Sequence, residues 1–213
     1  MDRSAFKVFL KERPELIKAA LVFNRLSGPP DFSADAALGA ALSQRPRLWK
    51  LFPRDSSPGF WDFQSERRRL ALVGPDETCA LALRWGVAAL APRLARTVRA
   101  EEVLTLRREF GRELYEYALS RGLYHLGSLR DRLKVDPRLP LNREAAEGEG
   151  WRALSLCAHD WPDELRSHWL RRQGRDEVDS GCTPDEALVR QVWFRLKKIL
   201  LTEVAPQWRP CFD

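Results

Sequence analysis

The residues with the most suggestive spacing are His159, Asp160, Glu164 and His168. Glu164 and His168 stand four apart, so on a helix they share a face, and with their neighbours they supply the imidazole and carboxylate donors that zinc takes. The order differs from His-Glu-x-x-His, in which two histidines bracket the glutamate, and a helix break falls inside the set, so ordinary polar residues are the expected reading. His125 has no companion nearby in the sequence. Cys182 precedes the last long helix, where the dipole and free N–H groups favour a thiolate. Nucleophilic catalysis also needs a base, and no histidine lies near Cys182 in sequence. Carboxylates are numerous but fall on charge-paired helical faces. A glycine-rich phosphate loop is missing. The expectation is a non-enzymatic chain with no catalytic residue, metal site, cofactor or small-molecule ligand.

Arg67, Arg68 and Arg69 beside Trp61 form the densest basic run, and cations next to an aromatic ring can lie along phosphate. A basic, all-helical nucleic-acid-binding module is therefore one reading. Against it, a DNA reader concentrates its charge on one helix or arm, whereas here Arg alternates with Glu and Asp. An amphipathic helix docking into a partner's groove is supported equally well, and the residues leave both readings open.

The elements that must position these groups are helices. The 213 residues carry 36 basic and 30 acidic side chains, a formal charge of +6, interleaved along the chain rather than gathered in tails. A hydrophobic content of 44% is enough to bury a core, and the length suggests one compact, irregular multi-helix domain over 1–213. Cys79, Cys157, Cys182 and Cys211 include no CxxC pair, which points to reduced thiols. The start, MDRSAFKVFLKERPEL, lacks the long uncharged run of a secretory signal. The most apolar run, CALALRWGVAALA, is broken by Arg84 and falls short of the about 20 residues needed to span a bilayer. A soluble cytoplasmic protein without direct membrane insertion is expected.

In order, Pro14 is placed to begin a helix over 14–26, since its missing N–H costs nothing there. Ser33 can cap an Ala-rich helix over 33–44, and a short apolar segment covers 47–52. Phe60, Trp61 and Phe63 then sit in a loop, where they are expected to seal the core edge. Residues 75–90 read as a helix apolar on nearly every side, ended or kinked by Pro92. Over 100–120 an amphipathic helix repeats Val103, Leu106, Phe110, Leu114 and Tyr117, with Glu109, Arg112 and Glu116 able to pair on the opposite face. A short amphipathic piece over 123–133 leads into 136–150, whose EAAEGEG run reads as a mobile polar loop. Helices over 151–158 and 162–172 point Leu154, Leu165, Trp169 and Leu170 inward. Thr183, Pro184 and Glu186 give a strong start signal for a last helix lined by Leu188, Val189, Val192, Trp193, Leu196, Ile199 and Leu200. A short tail, 206–213, follows. No alternating β-branched run or Asn-Gly turn is present, so the fold class is all-α.

Several segments carry a family resemblance. Leu70, Ala71 and Leu72 lead into an apolar helix bearing Leu81, Leu83, Arg84, Gly86 and Leu90, and the next helix bears Val103, Leu104, Leu106, Arg112 and Leu114. Beyond a polar spacer come GWRALSLCAHDWPDELRSHWLRRQ and the closing KKILLTEVAPQWRPCFD. Taken together, about half of the chain resembles the SctK family of bacterial type III secretion systems, which includes YscK and PscK; the amino-terminal third departs from its pattern. The resemblance implies a cytoplasmic adaptor of the sorting platform, peripheral to the inner membrane. Such an adaptor links the forkhead-associated-like cytosolic domain of the ring protein SctD to the pod protein SctQ, and through it to SctL and SctN. The family offers no catalytic residue to carry over. The expected contact residues are Trp61, Arg67 and Arg68 before the apolar helix and Trp208 and Phe212 in the tail, with core cover as the alternative role of the aromatics.

Overall fold

A computed structural model describes residues 14–24, 60, 62–175 and 185–212. The helices expected over 33–44 and 47–52, and Trp61, Cys182, Thr183 and Pro184, lie outside the described residues. Within them every regular element is helical: α1 (Pro14–Asn24), a 3-10 helix (Glu66–Leu72), α2 (Pro75–Arg96), α3 (Ala100–Tyr117), a π-helical turn (Ala118–Gly122), α4 (Leu123–His125), α5 (Leu129–Leu133), α6 (Arg143–Cys157), α7 (Asp163–Arg172), α8 (Glu186–Ile199), a second π-helical turn (Leu200–Val204), a 3-10 turn (Pro206–Trp208) and α9 (Arg209–Phe212). The fold class is all-α. Contacts group the chain into two compact units, one made of Met1–Gly74, Trp161–Arg175 and Trp208–Asp213, the other of Pro75–Asp160 and Asp176–Gln207.

The second unit is built on α2. Leu81, Ala82, Trp85, Val87, Ala88, Leu90, Ala91 and Leu94 are all buried, as an all-round apolar helix requires. Its closest neighbour is α6. A Cβ added to Gly86 would stand 1.7 Å from the Ala146 carbonyl oxygen, and one added to Gly150 would stand 1.9 Å from that of Ala82. Each helix thus presents an Ala and a Gly four residues apart, and the two backbones touch where side chains would hold them apart. This corrects the reading of the EAAEGEG run as a mobile loop. Residues 143–150 form the first half of α6, capped by Asn142, whose side chain accepts from the Ala145 N–H at 2.9 Å. Composition made the run look polar; its small residues serve a close helix crossing.

Pro92 does not end α2, which continues to Arg96. A proline cannot donate to the carbonyl four residues back, so the Ala88 oxygen loses its helical partner. Arg130 takes that place, donating from Nη2 to Ala88 O at 3.2 Å and to Leu123 O at 3.1 Å. In α3 the break comes instead at Gly111, whose φ of 77° lies in the region open to glycine. Leu106, Phe110 and Tyr117 are buried as the periodicity predicted, but beyond Gly111 Tyr115 is buried while Leu114 is only half-buried. The expected polar face is present: Arg112 pairs with Glu116 at 2.7 Å, and Glu109 accepts the Arg143 N–H at 2.9 Å. Arg84, the interruption in the apolar run, pairs with Glu113 at 2.5 Å.

In the first unit Leu16, Ala20 and Phe23 of α1 join Phe63, Leu70, Trp161, Leu165, Trp169 and Phe212 in the core. Pro14 begins α1 as its missing N–H allows, and Phe63 seals the core as expected, edge to face with Phe23 at 5.6 Å. Of α7, Leu165, Trp169 and Leu170 are buried, matching the inward positions read from the sequence. Among the described residues no helix is long and apolar enough to cross a membrane.

Candidate functional site

The basic run at 67–69 is the first place to look for a charged surface, and most of it is turned to structural use. Arg69 is 9% exposed and donates to three carbonyls: Nε to Phe63 at 3.0 Å, Nη1 to Cys211 at 3.0 Å and Nη2 to Gln64 at 3.1 Å. One guanidinium thereby ties the loop before the 3-10 helix to the chain end. Arg68 is paired with Asp62, and Arg67 is half-buried and also engaged. Trp208 is half-buried and Phe212 is 1% exposed, so the tail is docked and Phe212 fills the core rather than facing outward. Arg67, Arg68, Trp208 and Phe212 all belong to the first unit. Trp61 lies outside the described residues.

The histidines are equally committed. His168 is buried, with Nε2 3.1 Å from the Phe23 carbonyl and its ring 4.4 Å from that of Phe23. Burial, the largest influence, pushes its pKa below the ordinary imidazole value. His159 Nδ1 lies 2.9 Å from Leu156 O. Among the described residues no three His, Cys, Asp or Glu side chains gather where they could hold a metal ion. His125 does have a companion that sequence proximity could not show. Its Nε2 is 3.6 Å from Glu203, which also pairs with Arg121 at 2.8 Å, so the two π-helical turns meet through one buried carboxylate. Burial lowers the His125 pKa against the pull of Glu203, and burial together with that carboxylate pushes the Tyr117 hydroxyl well up.

A different surface stands open on α8. Its apolar stripe is as predicted: Val189, Val192, Trp193, Leu196 and Ile199 are buried. The helix is capped by Asp185, which accepts the Ala187 N–H at 2.9 Å, two residues beyond the expected Thr183, and Asp185 is in turn held by Arg132 at 2.7 Å. Off the stripe, Phe194 is 58% exposed, with Arg190 one turn before it and Lys198 one turn after, both exposed. The Arg195 guanidinium lies 5.6 Å from the centre of the Phe194 ring. Arg190 and Arg195 form no ion pair among the described residues. Beside them a groove of about 310 Å³ is lined by Ser128, Leu129, Arg190, Gln191, Phe194 and Arg195. Sequence reading passed over Phe194, although a signal was present: an aromatic at the wrong phase of the stripe, four residues from a cation on either side.

Such a surface offers an apolar anchor between flanking cations. Comparison with family models, curated proteins and solved structures returns no match to this chain.

Proposed function

We propose that this protein is an adaptor of a bacterial type III secretion sorting platform, resembling SctK and joining the cytosolic domain of a SctD-type ring protein to a SctQ-type pod protein. The observation that carries the reading is the sequence pattern through Leu70, Leu81, Arg84, Gly86, Leu106 and Leu114 and onward to the Lys-rich, Phe-containing close. The all-helical fold supports it, as does the exposed aromatic on α8 beside arginines that meet no carboxylate among the described residues, since a scaffold needs outward-facing contacts. Function in this reading is scaffolding: separate contact surfaces, with mixed charge setting orientation and apolar groups setting affinity. Interleaved Arg and Glu make at least one contact sensitive to salt.

The test is to purify the chain and measure its binding to the cytosolic domain of the ring protein and to the pod protein from the same bacterium, at physiological salt. Duplex DNA of random sequence serves as the control ligand. Binding to either protein partner, with DNA weak, is the expected result. Tight DNA binding with neither protein bound would replace the adaptor by the nucleic-acid-binding reading.

A further inference from the structure

We infer that the groove between α5 and α8 takes a short acidic segment of a protein partner, one that places a large apolar side chain between carboxylates. The inference rests on the adaptor reading and names the chemistry that one of its contacts recognises. Three observations carry it. First, the groove, at about 310 Å³, has room for one or two large side chains and not for a folded domain. Second, its lining includes buried Leu129 and the Phe194 ring, the latter exposed although large aromatics are costly to leave in water. Third, Arg190 and Arg195 flank that ring without a carboxylate among the described residues, and a guanidinium fork matches a carboxylate in two parallel hydrogen bonds.

The neighbouring charges favour a peptide over nucleic acid. Arg132 of α5 is already engaged by Asp185 and by the Gln191 amide oxygen at 2.9 Å. Asp131, Asp185 and Glu186 stand exposed on the elements that form the groove. A nucleic-acid backbone, with a charge about every 1.7 Å of duplex, would run against those carboxylates. A short segment with two acidic residues meets only the two open arginines.

The experiment pans a random peptide pool, displayed on phage, against the full-length chain. The enriched consensus is then synthesised with a fluorescent label and titrated against the chain, against Phe194→Ala and against Arg190→Glu with Arg195→Glu. Arg190→Glu alone, at an exposed position, serves if the double variant melts early. Enrichment of Asp or Glu around Leu, Phe or Trp is expected, with affinity falling about tenfold in each variant and falling again as salt rises. No enrichment, a neutral or basic consensus, or equal affinity in the variants overturns the inference. So does labelled duplex DNA binding more tightly through the same residues, or self-association of the chain lost in Phe194→Ala, which would make a second copy the occupant. The ring and pod proteins are titrated in parallel. If they bind every variant normally, the groove assignment fails and the adaptor stands; if they never bind the unaltered chain, the adaptor reading fails whatever the peptides show.

Discussion

The 3-10 helix at Glu66–Leu72 and the outer side of α8 are both rich in arginine, yet they use it in opposite ways. Arg69 is buried among three carbonyls and Arg68 faces Asp62, whereas Arg190 and Arg195 reach no carboxylate among the described residues and one of them lies over an exposed ring. Arg130, beneath Pro92, belongs with the first kind. A guanidinium with five donors can finish a backbone that has lost its own partners, or it can wait for a ligand. Charge count does not separate the two; the inventory of acceptors around each side chain does.

The largest effect should come from removing the frame beneath the open arginines. Gly86→Ala puts a Cβ where the Ala146 carbonyl already is, so α2 and α6 must separate, at a cost above about 4 kcal/mol. Gly148→Ala, with nothing within 4 Å of the added carbon, should instead stabilise by about 0.5–1 kcal/mol. Thermal melts of the two variants check the pair.

Next is Arg69→Met, which leaves the Phe63, Gln64 and Cys211 carbonyls without their charged donor. A loss of about 3–5 kcal/mol is expected in chemical denaturation. If the loss were no greater than for a surface arginine, the distinction between inward and outward arginines would fail.

Arg130→Met should cost about 2 kcal/mol, and less in a Pro92→Ala background, because an alanine N–H at 92 can serve the Ala88 oxygen itself. A double-mutant cycle measures that coupling, and strict additivity would show that Arg130 does not substitute for the proline's missing donor.

A smaller effect is the pH dependence of the inward-facing histidines. His125 and His168 both have pKa values lowered by burial, so their contribution is present above the ordinary imidazole value of 6.5. As pH falls through that value the unfolded chain takes protons that the native one refuses, and stability declines until the native imidazoles are protonated as well. His168→Gln, which keeps a donor toward Phe23, should flatten the melting profile between about pH 7 and 5. An unchanged slope would place the proton uptake elsewhere.

Much of this was legible in the sequence. Repeats at three and four residues gave the buried stripes of α3 and α8, and the apolar run at 79–91 gave the buried helix of the second unit. What escaped depends on partners far along the chain. Ala146 and Gly150 are read as loop residues until Ala82 and Gly86 are seen to face them. Arg69 looks like surface charge until the chain end, 142 residues away, supplies a carbonyl. Phe212 reads either as a contact residue of the tail or as cover for the core, and the fold puts it in the core. Phe194 was the reverse case: its phase marked it as outward, but an aromatic on an amphipathic helix is easily counted with the core.

In the proposed role, the open arginines of α8, rather than the engaged ones at 67–69, recognise a partner. Titrating the ring and pod proteins against Arg190→Glu with Arg195→Glu, beside Arg67→Glu with Arg68→Glu, tests it directly. The first pair should weaken binding to one of the two partners about tenfold with melting unchanged, and the second should leave that affinity within about twofold. Loss of binding in the Arg67 and Arg68 variant alone, with the α8 variant binding as the unaltered chain does, would contradict it.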